Sequence, residues 1–413
     1  MKLLVVCARP PWPPTMADAM TVERMLRFLS ARGHAVDLLC FTEHEAATRA
    51  LRAGLAGACR EIESVELPRW RSYASTALTL PLALPMQVQY YRSREMRRAV
   101  ERRVARGGYD AVYTHLIRMA EYTRRLPVAK LLGVQISQAL NLGRMHAHSA
   151  SPLRRLFYRI EAAKVRPYEA AVCADYERVL LCGAADIRAI ERSAPIPNAR
   201  ICPHGQDIPP LERVRAAQRV PGSIVLSGVM STYTNVDAAC WFAREVFPLV
   251  ERRVPEAKFW IVGRNPQRAV RALQRESKVT VTGEVPDVHE WLCRAQVAVA
   301  PLRIGAGMQN KIVQAMACEL PVVATSVANE GIGAKPPAQI LLCDDPRAMA
   351  DAVVGLLRDA QARRAIGAAA RELVEAHWSW DANFERLEGW LEEAVAMRGA
   401  RQSASAPAVP ATR

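Results

Sequence analysis

The 413 residues exceed one ordinary domain, so two separately cored domains are expected. Lysine and arginine number 56 against 41 acidic residues, and the net charge of +15 points to an anionic partner: nucleic acid, a phosphorylated small molecule or an acidic membrane face. The ten cysteines contain no C-x-x-C pair, which argues against a disulfide framework or a cysteine-bound zinc site.

"KLLVVCA" opens the chain as a strand, too short an apolar run for a secretory leader, and a helix follows near Met20 to Arg32. "AVDLLCF", "DAVYTH", "LLGVQIS" and "RVLLCG" read as further strands separated by helical stretches. Continuous apolar strands with helices between them predict a parallel sheet covered on both faces. After "CPHGQDIPP" the chain turns polar and proline-rich, giving a linker over residues 206–222. The pattern then restarts with "SIVLSG", "KFWIVG", "VTVTG", "QVAVAPL", "PVVAT" and "QILLC". The expected fold is therefore α/β, with doubly wound Rossmann-like domains at residues 1–205 and 223–378. "WSWDANFERLEGWLEEAVAMR" predicts one late helix over residues 379–398, with Trp380, Phe384, Leu387 and Leu391 on a face. It is expected to cross back to the first domain. Residues 399–413 are small, polar and proline-containing and read as disordered. No apolar run is long enough to cross a bilayer, so a cytoplasmic chain is expected, with peripheral docking on the inner face of a membrane as a further option.

Chemistry concentrates in "PLRIGAGMQNKIVQAMACELPVVAT", which delivers a strand into a glycine loop and then a helix. Free amides and the positive end of the helix dipole converge at such a corner and suit a phosphate. Gly305 and Gly307 permit close backbone approach, and Lys311 adds a charge on the first turn. The corner also serves purely structural roles, and it lacks a dinucleotide fingerprint because Asn310 holds the third glycine position. His115 ends a strand, where α/β folds place ligands; a capping or half-buried histidine is the less favoured alternative. Asp18, in the loop after the first strand, is either an acceptor contact or the N-cap of the following helix. His146 and His148 form an H-x-H pair with no third ligand nearby and read as a solvated loop; with no D-x-D either, no metal or other cofactor is expected. Two basic amphipathic segments, "QVQYYRSREMRRAVERRVAR" and "SPLRRLFYRIEAAKVRPY", suit either an anionic membrane surface or a solvated face packed on the first domain. Nucleic acid is disfavoured for want of a binding motif or stacking platform.

Taken in order, "PPWPP", "LSARGHAV", "YDAVYTH", "CPHGQD", "LSGVMSTYTNVDA", "WIVG", "VTGEVPDV", "PLRIGAG", "KIVQAMACELPVVAT" and "WSW" resemble the bacterial glycosyltransferases of family 4, the "group 1" transferases. The "GMQNK" and "NVDAACWF" wording is similar to that of sugar transferases associated with exosortase and exopolysaccharide systems. The resemblance implies a GT-B fold, two facing Rossmann-like domains with an interdomain cleft. It also implies a nucleotide-diphosphate sugar as co-substrate and a glycan or lipid-linked glycan as acceptor, with retention of anomeric configuration. On the same basis His115 is a donor-sugar contact, while Arg303, Lys311 and Arg264 are candidates for balancing the diphosphate. Gly228, Gly263, Gly283, Glu284, Val285, Gly305, Gly307, Met308, Gln309, Asn310 and Gln314 fall in the donor loops, and Asp18 on the acceptor side.

The departures from the family matter too. Its paired glutamates map onto Ala306 and Gln314, its basic pair onto Val229 and Asn235, and Glu319 stands where glycine is usual. A catalytically degenerate module that binds a nucleotide sugar or a partner enzyme without turnover is therefore the alternative to a transferase.

Overall fold

The computed structural model describes residues 1–14, 16–68, 84–149, 151–275, 278–304 and 309–405. The chain divides into two compact units, Met1–His204 together with the chain from Asn383 onward, and Gly205–Ala382.

In the first unit β1 (Lys2–Cys7), β2 (Ala35–Thr42), β3 (Glu61–Glu66), β4 (Ala111–His115), β5 (Ala129–Gln135), β6 (Arg178–Leu181) and β7 (Ala199–Ile201) form one sheet. Their order is β3-β2-β1-β4-β5-β6-β7, every pairing parallel. Leu4, Val5, Leu38, Leu39, Leu131 and Leu132 are wholly buried, as expected of strands covered on both faces. The two outer strands escape the sequence reading. β3 reads Glu-Ile-Glu-Ser-Val-Glu and β7 has three residues, so neither presents the apolar run that marks a central strand. The strand order reverses between β1 and β4, where Cys7 lies in register with His115.

Helix α1 (Ala17–Ala31) follows β1. Helix α2 (Arg94–Gly107) carries the first basic segment; Met96, Ala99 and Val100 are buried against the sheet. Its Arg102 and Arg103 meet Glu63 at 3.0 and 2.7 Å, and Arg103 also meets Glu61 at 2.7 Å. Helices α3 (Gln138–His148) and α4 (Pro152–Cys173) pack as a hairpin, capped by Ser137 and Ser151.

The second unit repeats the scheme with β8 (Ser223–Ser227), β9 (Lys258–Val262), β10 (Val279–Gly283), β11 (Val297–Ala300), β12 (Val322–Ala324) and β13 (Leu341–Leu342). The order is β10-β9-β8-β11-β12-β13, again all parallel. Phe242, Phe247 and Phe259 pack ring on ring in its core. Residues 206–222, read as linker, contain the helix Leu211–Ala216, whose Val214 is buried in that core. Helices α5 (Tyr233–Trp241) and α6 (Asn310–Ala317) follow β8 and β11.

The last helix, α7 (Trp380–Ser405), runs beyond the predicted end at residue 398. Residues 399–405, expected to be disordered, continue it because Ala400, Arg401 and Gln402 are good helix formers and the prolines come later. Residues 406–413 lie outside the described residues. Phe384, Leu387 and Leu391 are buried within the first unit, Trp380 is half-buried, and Glu388 accepts from His34 Nε2 at 2.7 Å and pairs with Arg32 at 3.1 Å. No described helix is long and apolar enough to cross a membrane.

Candidate functional site

In the second unit, β8 and β9 run into Gly228 and Gly263, and β10 ends in Gly283. Gly263 has φ +147°, and a Cβ there would sit 1.8 Å from the Gly228 carbonyl oxygen. Gly228 has φ +150°, and its Cβ would meet Asn235 Nδ2 at 2.8 Å and Lys311 Cε at 3.3 Å. No other residue lets these segments approach so closely. The Gly228 amide donates to Val262, that of Gly263 to Gly283, and that of Met230 to Arg264.

A cavity of roughly 450 Å³ opens over these strand ends. It is lined by Gly228, Gly263, Arg264, Glu284 and Val285, with Asn310, Lys311 and Gln314 from α6 and Asn235 from α5. This is the end of the sheet at which doubly wound folds bind ligands. The start of α6 adds its positive dipole end to the rim. Lys311 donates to Gln309 Oε1 at 3.1 Å, and burial pulls its pKa from an ordinary 10.5 down to about 8. It has no ion pair with a described carboxylate, so its charge is poised for an incoming anion. Asn235 donates through Nδ2 to the Val229 carbonyl at 2.9 Å, while its buried Oδ1 has no partner among the described residues.

The other donor-side expectations fall as follows. Gln309 sits at the N-cap position of α6, and Gly283, at φ +71°, accepts from the Gly263 amide at 3.1 Å. Arg303 is not one of the cavity-lining residues. It holds Asp237 with two hydrogen bonds, 3.0 Å from Nε and 2.5 Å from Nη2, and lies over the Trp241 ring. Gly305, Ala306, Gly307 and Met308 lie outside the described residues.

In the first unit His115 ends β4 and is 2% exposed. Its Nδ1 lies 3.4 Å from the Tyr113 hydroxyl, and its buried Nε2 has no partner among the described residues. Burial pushes its pKa down to about 3; His204 and Arg118 push the same way and Asp18 opposes them. The imidazole is therefore neutral at any working pH.

Asp18 was expected in a loop or at an N-cap. It occupies the first turn of α1 instead, because the helix begins at Ala17 and Met16 holds the cap position without a side-chain bond. Its carboxylate lies 3.9 Å from Arg9 and 3.7 Å from Arg118. Arg9 donates to the Tyr91 hydroxyl at 3.3 Å, and Arg118 lies over the Tyr91 ring at 5.1 Å. A cavity of roughly 560 Å³ adjoins this group, lined by Arg9, Trp12, Asp18, Phe41, His44, Tyr90 and Tyr91 among others. Sequence reasoning singled out "PPWPP" but missed Arg9, Arg118 and Tyr91; the signal for the two arginines, a basic residue two or three positions beyond a strand end, is weak taken singly, and Tyr91 has none. His146, read as solvated, donates through Nδ1 to the Arg155 carbonyl at 2.8 Å and ties α3 to α4.

Two Rossmann-like sheets, each with a cavity reached from its C-terminal strand ends, define the GT-B class of glycosyltransferase folds. Sucrose-phosphate synthase from Thermosynechococcus elongatus matches this chain at a TM-score of 0.67 with 17% identity, over 96% of this chain and 100% of that one. HepE from Anabaena, solved in complex with UDP, matches at 0.65 with 12% identity over 95% and 100%. Residues 221–359 match the family described as glycosyl transferases group 1. An uncharacterized 44.6 kDa protein in the cps region of Klebsiella pneumoniae is 20% identical over 83% of this chain and 88% of its own length.

Proposed function

We propose that the protein is a retaining glycosyltransferase, moving a hexose-type sugar from a nucleotide-diphosphate sugar to a glycan or lipid-linked glycan acceptor in surface polysaccharide assembly. The observation that carries the reading is Lys311, an ammonium without an ion-pair partner among the described residues, in a glycine-walled cavity at the sheet's C-terminal end. In the reaction the bond between the donor's anomeric carbon and the diphosphate oxygen breaks, with oxocarbenium character. The acceptor oxygen bonds to that carbon on the same face, and its proton passes to the departing diphosphate. Negative charge grows on the diphosphate, and Lys311 with the first amides of α6 is placed to stabilise it. Neutral His115 offers Nε2 to a sugar hydroxyl, and the Trp12–Tyr91 cavity offers aromatic faces and polar groups to an acceptor.

Uridine is the base to try first, since HepE was solved with UDP and with UDP-glucose, and TarM from S. aureus with UDP. The relative in a cps region supports the polysaccharide setting. A panel of UDP-, GDP- and dTDP-sugars, screened by calorimetry and then for acceptor-dependent release of nucleoside diphosphate, tests the proposal. Failure to bind any nucleoside diphosphate refutes it. Binding without turnover selects the degenerate-module reading, which is favoured by Gln314, Asn235 and Val229 standing where the family keeps charged groups.

A further inference from the structure

The two basic segments look alike in sequence, yet they have different surroundings in the fold. On α2 the apolar residues Met96, Ala99 and Val100 are buried, and Arg102 and Arg103 are taken up by Glu61 and Glu63. On α4 the relation is reversed. Leu153, Leu156, Phe157 and Ile160 are 79%, 46%, 43% and 49% exposed, and at spacings of three and four they form one stripe. Arg155, Arg159 and Arg166, all exposed, share the flank beside that stripe.

No aspartate or glutamate occurs from Gln138 through Ile160. The two acids of α4 turn inward: Glu161 accepts from the Met86 amide at 2.6 Å, and Glu169 accepts from the Ser137 hydroxyl at 2.9 Å and the Gln138 amide at 2.5 Å. Those bonds and the His146–Arg155 contact hold the hairpin firmly, so the stripe is presented outward by a well-anchored element.

A contiguous large-apolar stripe on a well-anchored helix is unusual for a surface that meets only water. Its arginine flank and lack of exposed acids fit one occupant. We infer that the α3–α4 hairpin docks on an anionic lipid bilayer, with Leu153, Leu156, Phe157 and Ile160 entering the headgroup–acyl boundary and Arg155, Arg159 and Arg166 meeting lipid phosphates. This is the geometry of an in-plane amphipathic helix. A second copy of the chain fits less well, because a two-fold contact through this face would bring a purely basic surface against itself. The inference stands on the hairpin alone and not on the transferase reading.

The test uses the full chain and vesicles of phosphatidylcholine with about one-third phosphatidylglycerol, read by co-sedimentation at near-physiological salt. Each arginine near an anionic surface contributes about fivefold to partitioning, so R155E/R159E/R166E is expected to weaken binding by at least tenfold. L153S/F157S/I160S is expected to abolish the binding that survives added salt. All six positions are solvent-exposed, and thermal melts confirm that both variants fold. The charge-matched control R252E/R347E/R364E on the second unit is expected to bind as the parent does. Failure of the parent chain to bind anionic vesicles overturns the inference, as does equal loss in the control, which would indicate diffuse surface charge. A dimer in sedimentation velocity that the apolar variant converts to monomer, without vesicle binding, would assign the stripe to a second copy and overturn it too.

Discussion

Replacing Lys311 with methionine is expected to move stability and binding in opposite directions. The side chain keeps its length and apolar stem but loses the charge that burial disfavours. A lysine whose pKa falls from 10.5 unfolded to about 8 folded imposes its penalty below pH 8, and the penalty fades as pH rises toward 10.5. At pH 7 nearly all of it is present. Two and a half pKa units correspond to about 3 kcal/mol; Lys311 keeps some surface in the cavity's water, so a gain of about 1–3 kcal/mol is expected for Lys311→Met. Urea unfolding at pH 7 and pH 10 reads it: the variant is the more stable at pH 7, and the gap closes at the higher pH. Binding goes the other way. A charge-assisted bond to phosphate contributes about 1.5–3 kcal/mol, so UDP affinity is expected to fall about 10- to 150-fold while uridine is unaffected. A bound diphosphate raises the lysine's pKa, so binding takes up a proton above pH 8, and parent affinity declines by up to about tenfold per pH unit there while the variant's stays flat. Arg303→Ala is the comparison: its guanidinium is half-exposed and already held by Asp237, and a loss below about threefold is expected. Lower stability for Lys311→Met at pH 7, or equal loss of UDP and uridine binding, would refute the reasoning.

His115→Gln is expected to lower transfer about 10²-fold with UDP affinity unchanged, measured by steady-state kinetics and calorimetry; undiminished turnover removes His115 from the mechanism. The same variant bears on acid stability. With a pKa of about 3 folded against 6.5 unfolded, the unfolded chain takes up the proton first, so stability falls as pH drops below 6.5. At pH 5 the parent is expected to have lost about 2 kcal/mol of its neutral-pH stability to this residue, and His115→Gln to lose none of it. Gly263→Ala is expected to destabilise the second unit by more than about 3 kcal/mol, since a Cβ 1.8 Å from the Gly228 carbonyl forces the strand ends apart. An unchanged urea midpoint would show that the crossing is looser.

What could be read from the sequence depended on whether the signal was local. Central strands such as "KLLVVC" and "KFWIV" declare themselves because burial on both faces demands an unbroken apolar run. Gly228, Gly263 and Lys311 drew notice because a glycine at a strand end and a lysine at a helix start are local signals, and the fold gathers all three around one cavity. Arg303 was not, since its partner Asp237 lies 66 residues away on α5. The Arg9–Asp18–Arg118 group was likewise invisible, because the sheet order brings β1 beside β4 across a hundred residues of chain.

The missed strand β3 had the largest consequence. Its glutamates sit on an edge and mimic a loop, and without them α2 reads as an unpartnered basic helix indistinguishable from α4. Once Glu61 and Glu63 are placed beside Arg102 and Arg103, two of the six arginines of α2 are paired inside the first unit, while among the described residues α4 meets no such strand. The surplus of positive charge visible in the composition is therefore unevenly available, and the α3–α4 hairpin is where it coincides with exposed apolar side chains. That coincidence, rather than net charge, selects a membrane over a soluble polyanion: a polyanion would engage the arginines and leave Phe157 and Ile160 in water, whereas a bilayer accommodates both.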